Sequence, residues 1–339
     1  MLKSFSCFIS ISLLLTSCGH IKNIKVSQVE AIWFEYSPNQ NLNNGSKFKG
    51  EILLQTYDGK QHDVSNNNKI SFSSPDLRRN GSTYTIVKKA KSFNDDQCYL
   101  TLKYENKDEV FVSKDSMQMN YRGGLKILYN GSDGKDGKNQ RNKGTPLLWR
   151  DGKSGESGEF GGDGGSSKNY TAHIWSIEDM IYVNVKENNS TNVMKYKMTA
   201  GNDLHFDLSG GDGGDGGNGG DGGNGKDGAI SGDKIKRAGD AGNGGNGGNG
   251  GNGGNGGNIN LYIHENAKDI EGQLTTKING GRYGARGEAG KRGIPGSPLN
   301  GQQAGRQGFP GRPGMTGHKG MDGSVQKYIQ DFDFTVYLE

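Results

Sequence analysis

Residues 210–228 read GGDGGDGGNGGDGGNGKDG, and residues 239–258 read GDA followed by GNG triplets as far as Asn258. The period is three, which fits neither the 3.6 of an α-helix nor the 2 of a strand, but does fit a left-handed polyproline II-type helix with three residues per turn. Each triplet position therefore becomes one lengthwise face. Asp212, Asp215, Asn218, Asp221, Asn224 and Asp227 share one face of the first stretch, and Asp240 with every third residue from Asn243 to Asn258 shares one face of the second. The other two faces are almost bare backbone.

Such a helix makes no internal hydrogen bonds, so its N–H and C=O groups must be paired with water or with neighbouring chains. Glycine faces let backbones approach closely enough to pair. Ordering each residue costs on the order of 1–2 kcal/mol, so a packed bundle has to pair nearly all of these groups. The strictness of the repeat favours a bundle over a flexible spacer, with Gly210, Gly213, Gly216, Gly219, Gly222, Gly245, Gly248, Gly251 and Gly254 as bundle-core glycines. Residues 281–296 and 305–323 keep glycine only at every third position, as do shorter pieces at 131–137 and 152–164. Helices with two bare faces are expected at the centre and those with one at the periphery, each rod about 60 Å long at ~3.1 Å per residue. The repeat, over roughly 130–323, resembles the polyglycine II bundles of certain phage tail-fibre adhesins and springtail antifreeze proteins. Ile294-Pro295, Phe309-Pro310 and Arg312-Pro313 also resemble collagen triplets, but the register breaks between Gly296 and Gly305 and the chain has only 7 prolines. A collagen-like trimeric stalk is the alternative.

The first residues read as a targeting signal: Lys3 supplies charge, Phe8 to Leu15 an apolar centre too short to span a bilayer, and Leu15-Thr16-Ser17-Cys18 the end. This resembles a bacterial lipoprotein signal peptide (1–17) with its lipobox, which implies cleavage before Cys18, lipidation of Cys18 and membrane attachment through that lipid. Gly19 after the cysteine implies the outer membrane, with the cell surface favoured over the periplasmic face. Cys7 leaves with the signal and Cys18 carries lipid, so Cys98, in a strand-like stretch, is expected as a buried thiol and no intramolecular disulfide is possible.

Residues 18–28 read as a lipid-anchored tether. Residues 29–122 carry strand signals near Val29–Tyr36, Lys49–Tyr57, Lys69–Phe72, Ser82–Lys89, Gln97–Tyr104 and Glu109–Ser113, with turns at Asp58-Gly59, Asn80-Gly81 and residues 105–108. Short strands without helical periodicity predict an immunoglobulin-like β-sandwich with Trp33, Phe34, Tyr57, Phe72 and Tyr99 buried or half-buried. Residues 123–339 alternate strands with glycine runs, including strands at Tyr170–Ser176, Met180–Lys186, Asn192–Met198 and Tyr328–Leu338. The predicted fold class is all-β plus polyglycine II: the sandwich, then a bundle of left-handed glycine-rich helices with flanking short strands.

No catalytic constellation emerges, so a non-enzymatic role without a cofactor is expected. His20, His62, His173, His205, His264 and His318 are scattered, with no paired-cysteine or HExxH pattern for a metal. Gly152-Lys153-Ser154 lacks the upstream glycine of a phosphate loop, that position being Leu147. The Asp face resembles the glycine- and aspartate-rich Ca²⁺ repeats of secreted toxins but lacks their recurrent apolar residue. Amide-bonded or solvated polar faces are the expectation there, and Asn faces offer side-chain ladders between helices.

The net charge is +4, and its basic excess lies at residues 282–319. Arg282, Tyr283, Arg286, Arg292, Phe309 and Arg312 form a candidate interaction face for an outer-membrane protein partner or a glycan, with nucleic acid not expected of a lipoprotein. Asp115-Ser116-Met117 resembles the O-glycosylation motif of Bacteroidota, with Ser116 as acceptor. A backbone-cored bundle leaves every outward side chain free for display. The primary expectation is an accessory subunit docking on an outer-membrane protein complex; a surface adhesin or glycan binder is the alternative, and an enzyme acting on envelope polymers the third class.

Overall fold

The computed structural model describes residues 24–107, 109–147 and 150–338, so Cys18 and the targeting signal lie outside the described residues. The regular secondary structure of the described residues is β-strand with three 3₁₀ segments, and the chain divides into two units. One reaches Lys89 and includes Asp96–Asn120; the other comprises Ala90–Asp95 and the residues from Tyr121 onward.

The first unit holds β1 (Val29–Tyr36), β2 (Lys47–Thr56), β3 (Gln61–Asp63), β4 (Ile70–Ser73), β5 (Leu77–Asn80), β6 (Thr83–Ile86), β7 (Gln97–Asn106) and β8 (Glu109–Gln118). One sheet runs β1-β2-β6-β5 with β3 on β2, and the other runs β4-β7-β8. Period-two alternation points Cys98, Leu100, Leu102 and Tyr104 of β7 inward, each at most 3% exposed. Phe34 meets Tyr84 edge-on at 4.7 Å and Phe72 at 6.3 Å, so aromatic rings join the two sheets. Cys98 is fully buried, as expected of a strand thiol. Two expected core residues are not inside: Tyr57 follows the end of β2 and Tyr99 points to the outer side of β7, leaving them 71% and 53% exposed. The short strands β3 and β5 escaped the sequence reading.

The second unit contains six glycine-rich runs among the described residues, numbered in chain order: 131–143, 152–167, 210–228, 239–258, 280–297 and 305–323. The first, third and fifth runs leave β9 (Leu125–Leu128), β13 (Leu204–Asp207) and β17 (Leu274–Lys277), which form a parallel sheet in the order β17-β13-β9. The second, fourth and sixth runs enter β10 (Tyr170–Ile177), β16 (Ile259–Ile263) and β18 (Val325–Ile329). These three also pair in parallel, and β11 (Met180–Glu187) and β12 (Val193–Thr199) extend their sheet to the order β12-β11-β10-β16-β18. Between the sheets lies the apolar core, including Leu125, Ile127, Ile174, Val183, Phe206 and Leu261, all fully buried. The β14 (Ala229–Ser231) and β15 (Lys234–Lys236) hairpin joins the third run to the fourth.

Strand register carries through into the runs. Leu125 pairs with Leu204, a separation of 79 residues, and Asp133 meets Asp212 at the same separation. Odd-numbered runs lie parallel in one layer, even-numbered runs parallel in another, and bonds between layers are antiparallel, as where Gly214 N–H donates to Gly162 O and Gly217 N–H to Glu159 O. The two runs with bare faces, the third and fourth, bond to four neighbours each and sit centrally. The strand expected over Tyr328–Leu338 instead begins at Val325 and ends at Ile329. Its start is set by the pairing of Val325 with Ile259, and its partner β16 ends at Ile263.

Candidate interaction face

From Gly210 to Gly223 every N–H of the third run is paired. Gly213 donates to Arg282 O at 2.8 Å in the fifth run, Gly214 to Gly162 O at 2.9 Å in the second, and Asp215 to Asp136 Oδ1 at 2.8 Å in the first. Gly210 donates to Asn279 O just before the fifth run and Gly213, Gly216, Gly219 and Gly222 donate to that run, and a Cβ on any of the five would overlap a carbonyl of the fourth run. Gly245, Gly248, Gly251 and Gly254 donate to the third run, and a Cβ there would overlap a carbonyl of the second.

The Asn rows do not form the expected side-chain ladders: each Asp or Asn Oδ1 accepts a backbone N–H of the next run in its layer. Asp133 caps Asp212, and Asp212 caps Arg282; Ser154 accepts from Asn243, and Asn243 caps Phe309. Capping thus proceeds from the first and second runs toward the fifth and sixth, where the corresponding positions need no short polar residue. Arg282, Ala285, Glu288, Lys291 and Ile294 occupy them in the fifth run, and Arg306, Phe309, Arg312, Met315, His318 and Met321 in the sixth.

This geometry lays the side chains out as rungs across two faces. On the odd layer, Asp133–Asp212–Arg282 and Asp136–Asp215–Ala285 are successive rungs. On the even layer the rungs include Asp151–Asp240–Arg306, Ser154–Asn243–Phe309 and Asp163–Asn252–His318. At Ser157 and Phe160 the ladder is interrupted: among the described residues no side chain caps the N–H of Asn246 or Asn249. Gly161 N–H still bonds Asn249 O at 2.8 Å, so the runs stay in register, but a phenyl ring stands where a cap belongs and is 72% exposed. The sequence signal for it is a lone aromatic in the row Asp151, Ser154, Ser157, Phe160, Asp163, Ser166.

The candidate interaction residues separate. Arg282 lies in the odd-layer row and is engaged by Asp212, while Phe309 and Arg312 are in the even-layer row beside Asn243 and Asn246. Tyr283, Arg286 and Arg292 occupy the remaining triplet position of the fifth run and are exposed. Ser116 lies exposed on β8 beside Asp115, whose Oδ1 accepts the Ser116 N–H at 2.7 Å.

The Arg282 guanidinium, then its N–H, holds the Asp212 carboxyl below its ordinary pKa. The Arg306 N–H does the same for Asp240. In the core, burial pushes the phenols of Tyr129 and Tyr196 upward, and they share a hydrogen bond of 2.9 Å as neutral groups. A cleft of about 390 Å³ lined by Arg150, Asp151, Arg237 and Gly239 contains the Arg237–Asp151 ion pair at 3.1 Å. Among the described residues no three His, Cys, Asp or Glu side chains converge to hold a metal, and no helix is long and apolar enough to cross a membrane. No family model, curated protein or solved structure matches this chain.

Proposed function

We propose that this chain is a non-enzymatic, lipid-anchored outer-membrane protein in which an immunoglobulin-like sandwich is followed by a polyglycine II bundle. In this reading the bundle docks the protein as an accessory subunit on an outer-membrane protein complex. The observation that carries the proposal is the use of backbone alone to build the centre of the bundle, with every Oδ1 in the capping rows directed to a neighbouring N–H. Side chains in the outer rows are thereby released from packing, on a frame whose register is set by parallel strands at one end. Flat surfaces of this kind suit a stoichiometric protein partner that requires stiffness over several nanometres.

The lipid anchor rests on the Leu15-Thr16-Ser17-Cys18 sequence, and Cys18→Ala is expected to release the protein from the membrane fraction. The docking role is tested by native pull-down from mild detergent through a C-terminal tag. One outer-membrane protein recovered at a fixed ratio supports it, and recovery of the chain alone in repeated preparations rejects it. Cleavage by protease added to whole cells would assign the folded part to the cell surface.

A further inference from the structure

The capping ladder requires only an acceptor oxygen, and Asp and Asn supply it equally. Asp215 Oδ1 accepts Ala285 N–H at 2.7 Å, and Asn243 Oδ1 accepts Phe309 N–H at 2.8 Å. The two central runs nevertheless choose differently. The third run caps with Asp212, Asp215, Asp221 and Asp227 as well as Asn218 and Asn224, whereas the fourth uses Asn at every capping position from 243 to 258. Ladder geometry does not account for that choice, but the leftover group does differ: Asp leaves a second acceptor oxygen, and Asn leaves an NH₂ with two donors. Asn243, Asn246, Asn252, Asn255 and Asn258 are exposed, and their Nδ2 atoms have no protein partner among the described residues. The even face therefore presents a row of unspent donors every third residue, about 9 Å apart.

Phe160 supplies an independent observation. It cannot supply the Asn249 N–H with the side-chain cap that Asn252 receives from Asp163 at 2.6 Å, and with Asn246 also uncapped the ladder is weaker over these two rungs. Its exposed ring contributes nothing to the core. Across the amide row stand Phe309 and Met315, 75% and 70% exposed, with Arg312 between them. Over the three rungs from Asn243 to Asn249 these rows contain no carboxylate.

We propose that this strip binds a linear acidic polysaccharide. Sugar hydroxyl and carboxylate oxygens accept from the Asn amides and from Arg312, while pyranose C–H faces lie against Phe160 and Phe309. The two aromatic rungs are two triplets apart, about 19 Å along the run, so the strip engages a chain and not a single sugar. A nucleic acid fits less well, because its affinity comes from cations at successive phosphates and these three rungs hold one, Arg312. The site goes beyond the docking role and stands whether or not a protein partner is found.

The test uses the full-length, detergent-solubilised protein on immobilised alginate, with dextran and poly-dT as comparators. Alginate is expected to retain it, and dextran and poly-dT to bind at least about tenfold more weakly. Asn246→Asp keeps the capping oxygen and exchanges the free donor for a charge, so alginate binding should fall about tenfold with the melting temperature unchanged. Phe160→Asn restores the missing cap, so it should raise the melting temperature while weakening alginate binding. Asp215→Asn on the opposite face should leave binding unaltered. No retention on alginate, equal retention on dextran or poly-dT, or binding indifferent to both even-face variants overturns the proposal.

Discussion

Asp212 Oδ1 accepts the backbone N–H of Arg282 at 2.7 Å, while its Oδ2 takes the same residue's Nε and Nη2 at 2.9 and 2.6 Å. One carboxylate thus caps a neighbouring run and holds the side chain that extends from it. The guanidinium and the N–H depress the Asp212 pKa, and the Arg306 N–H depresses that of Asp240. For a depressed carboxyl, the unfolded chain takes up the proton first as pH falls. Its contribution is therefore complete above the ordinary Asp value of 3.8 and disappears as pH drops from there through the lower folded value.

Thermal melting followed by circular dichroism should accordingly hold steady from neutral pH down to about pH 5 and decline below about pH 4. Each exposed ion pair contributes only ~0.2–1 kcal/mol, so the decline should be graded. Asp212→Asn keeps a capping oxygen but does not titrate, and its melting temperature should fall less steeply in acid. An equal slope in wild type and variant would mean that Asp212 makes no measurable contribution to the acid response.

Backbone packing at the centre makes a sharper prediction. Gly216 donates to Ala285 O at 2.8 Å, and a methyl group on it would run into Gly248 O. The obstructing atom is backbone, itself tied to neighbours, and cannot rotate away. Gly216→Ala should cost about 3 kcal/mol or more, the upper range for overpacking. Ile294→Ala removes a larger group from the outer row of the fifth run, where it is 67% exposed, and should stay within about 0.5 kcal/mol. Denaturant midpoints of the bundle transition compare the two, and similar shifts would contradict a backbone-built core.

The contrast explains which parts of the fold were legible. Two bare faces at Gly213 and Gly214 identify a run with neighbours on several sides, because only glycine admits such close backbones; composition alone therefore placed the third and fourth runs centrally. The role of Asn243 was not legible, since the N–H it caps belongs to Phe309, 66 residues away, and no local period reports that separation. The placement of the candidate interaction residues was hidden for the same reason: Arg282 and Phe309 are neighbours in composition, yet each is registered to a different central run. In the first unit, β5 escaped because Leu77–Asn80 offers one buried residue, and Tyr99 was misassigned because an aromatic on a strand has no inherent preference between its two sides.

The capping bonds can be examined one at a time. Asn255 Oδ1 accepts Met321 N–H at 2.9 Å, while Gly320 N–H donates separately to Gly281 O at 3.0 Å. Asn255→Ala should accelerate hydrogen exchange at the Met321 amide and leave Gly320 protected. The stability loss should be about 1 kcal/mol, the usual net value of one hydrogen bond, because water can take over at an exposed edge. Uniform loss of protection along the sixth run would instead mean that the caps act only collectively.

Beyond β18 the chain turns back over aromatic residues of the second unit, beginning where Gln330 N–H donates to Ile263 O at 3.0 Å. Phe334 and Tyr337 stack on Trp175 with centroids 5.9 and 5.7 Å away, and Phe93 meets it edge-on at 5.6 Å. Trp175 is 0% exposed, yet its Nε1 has no hydrogen-bond partner among the described residues. An unsatisfied buried donor costs about 1–3 kcal/mol, so the stacking rings must more than offset it. Truncation after Ile329 should expose the indole, let water reach Nε1 and shift its fluorescence to the red, with increased quenching by iodide. The measurement requires Trp33→Phe and Trp149→Phe in both proteins, since the chain has 3 tryptophans. If the truncated protein kept a blue, unquenched emission, Phe93 and Tyr182, which stacks on Trp175 at 5.8 Å, would be sufficient to bury it and the terminal segment would not be its cover.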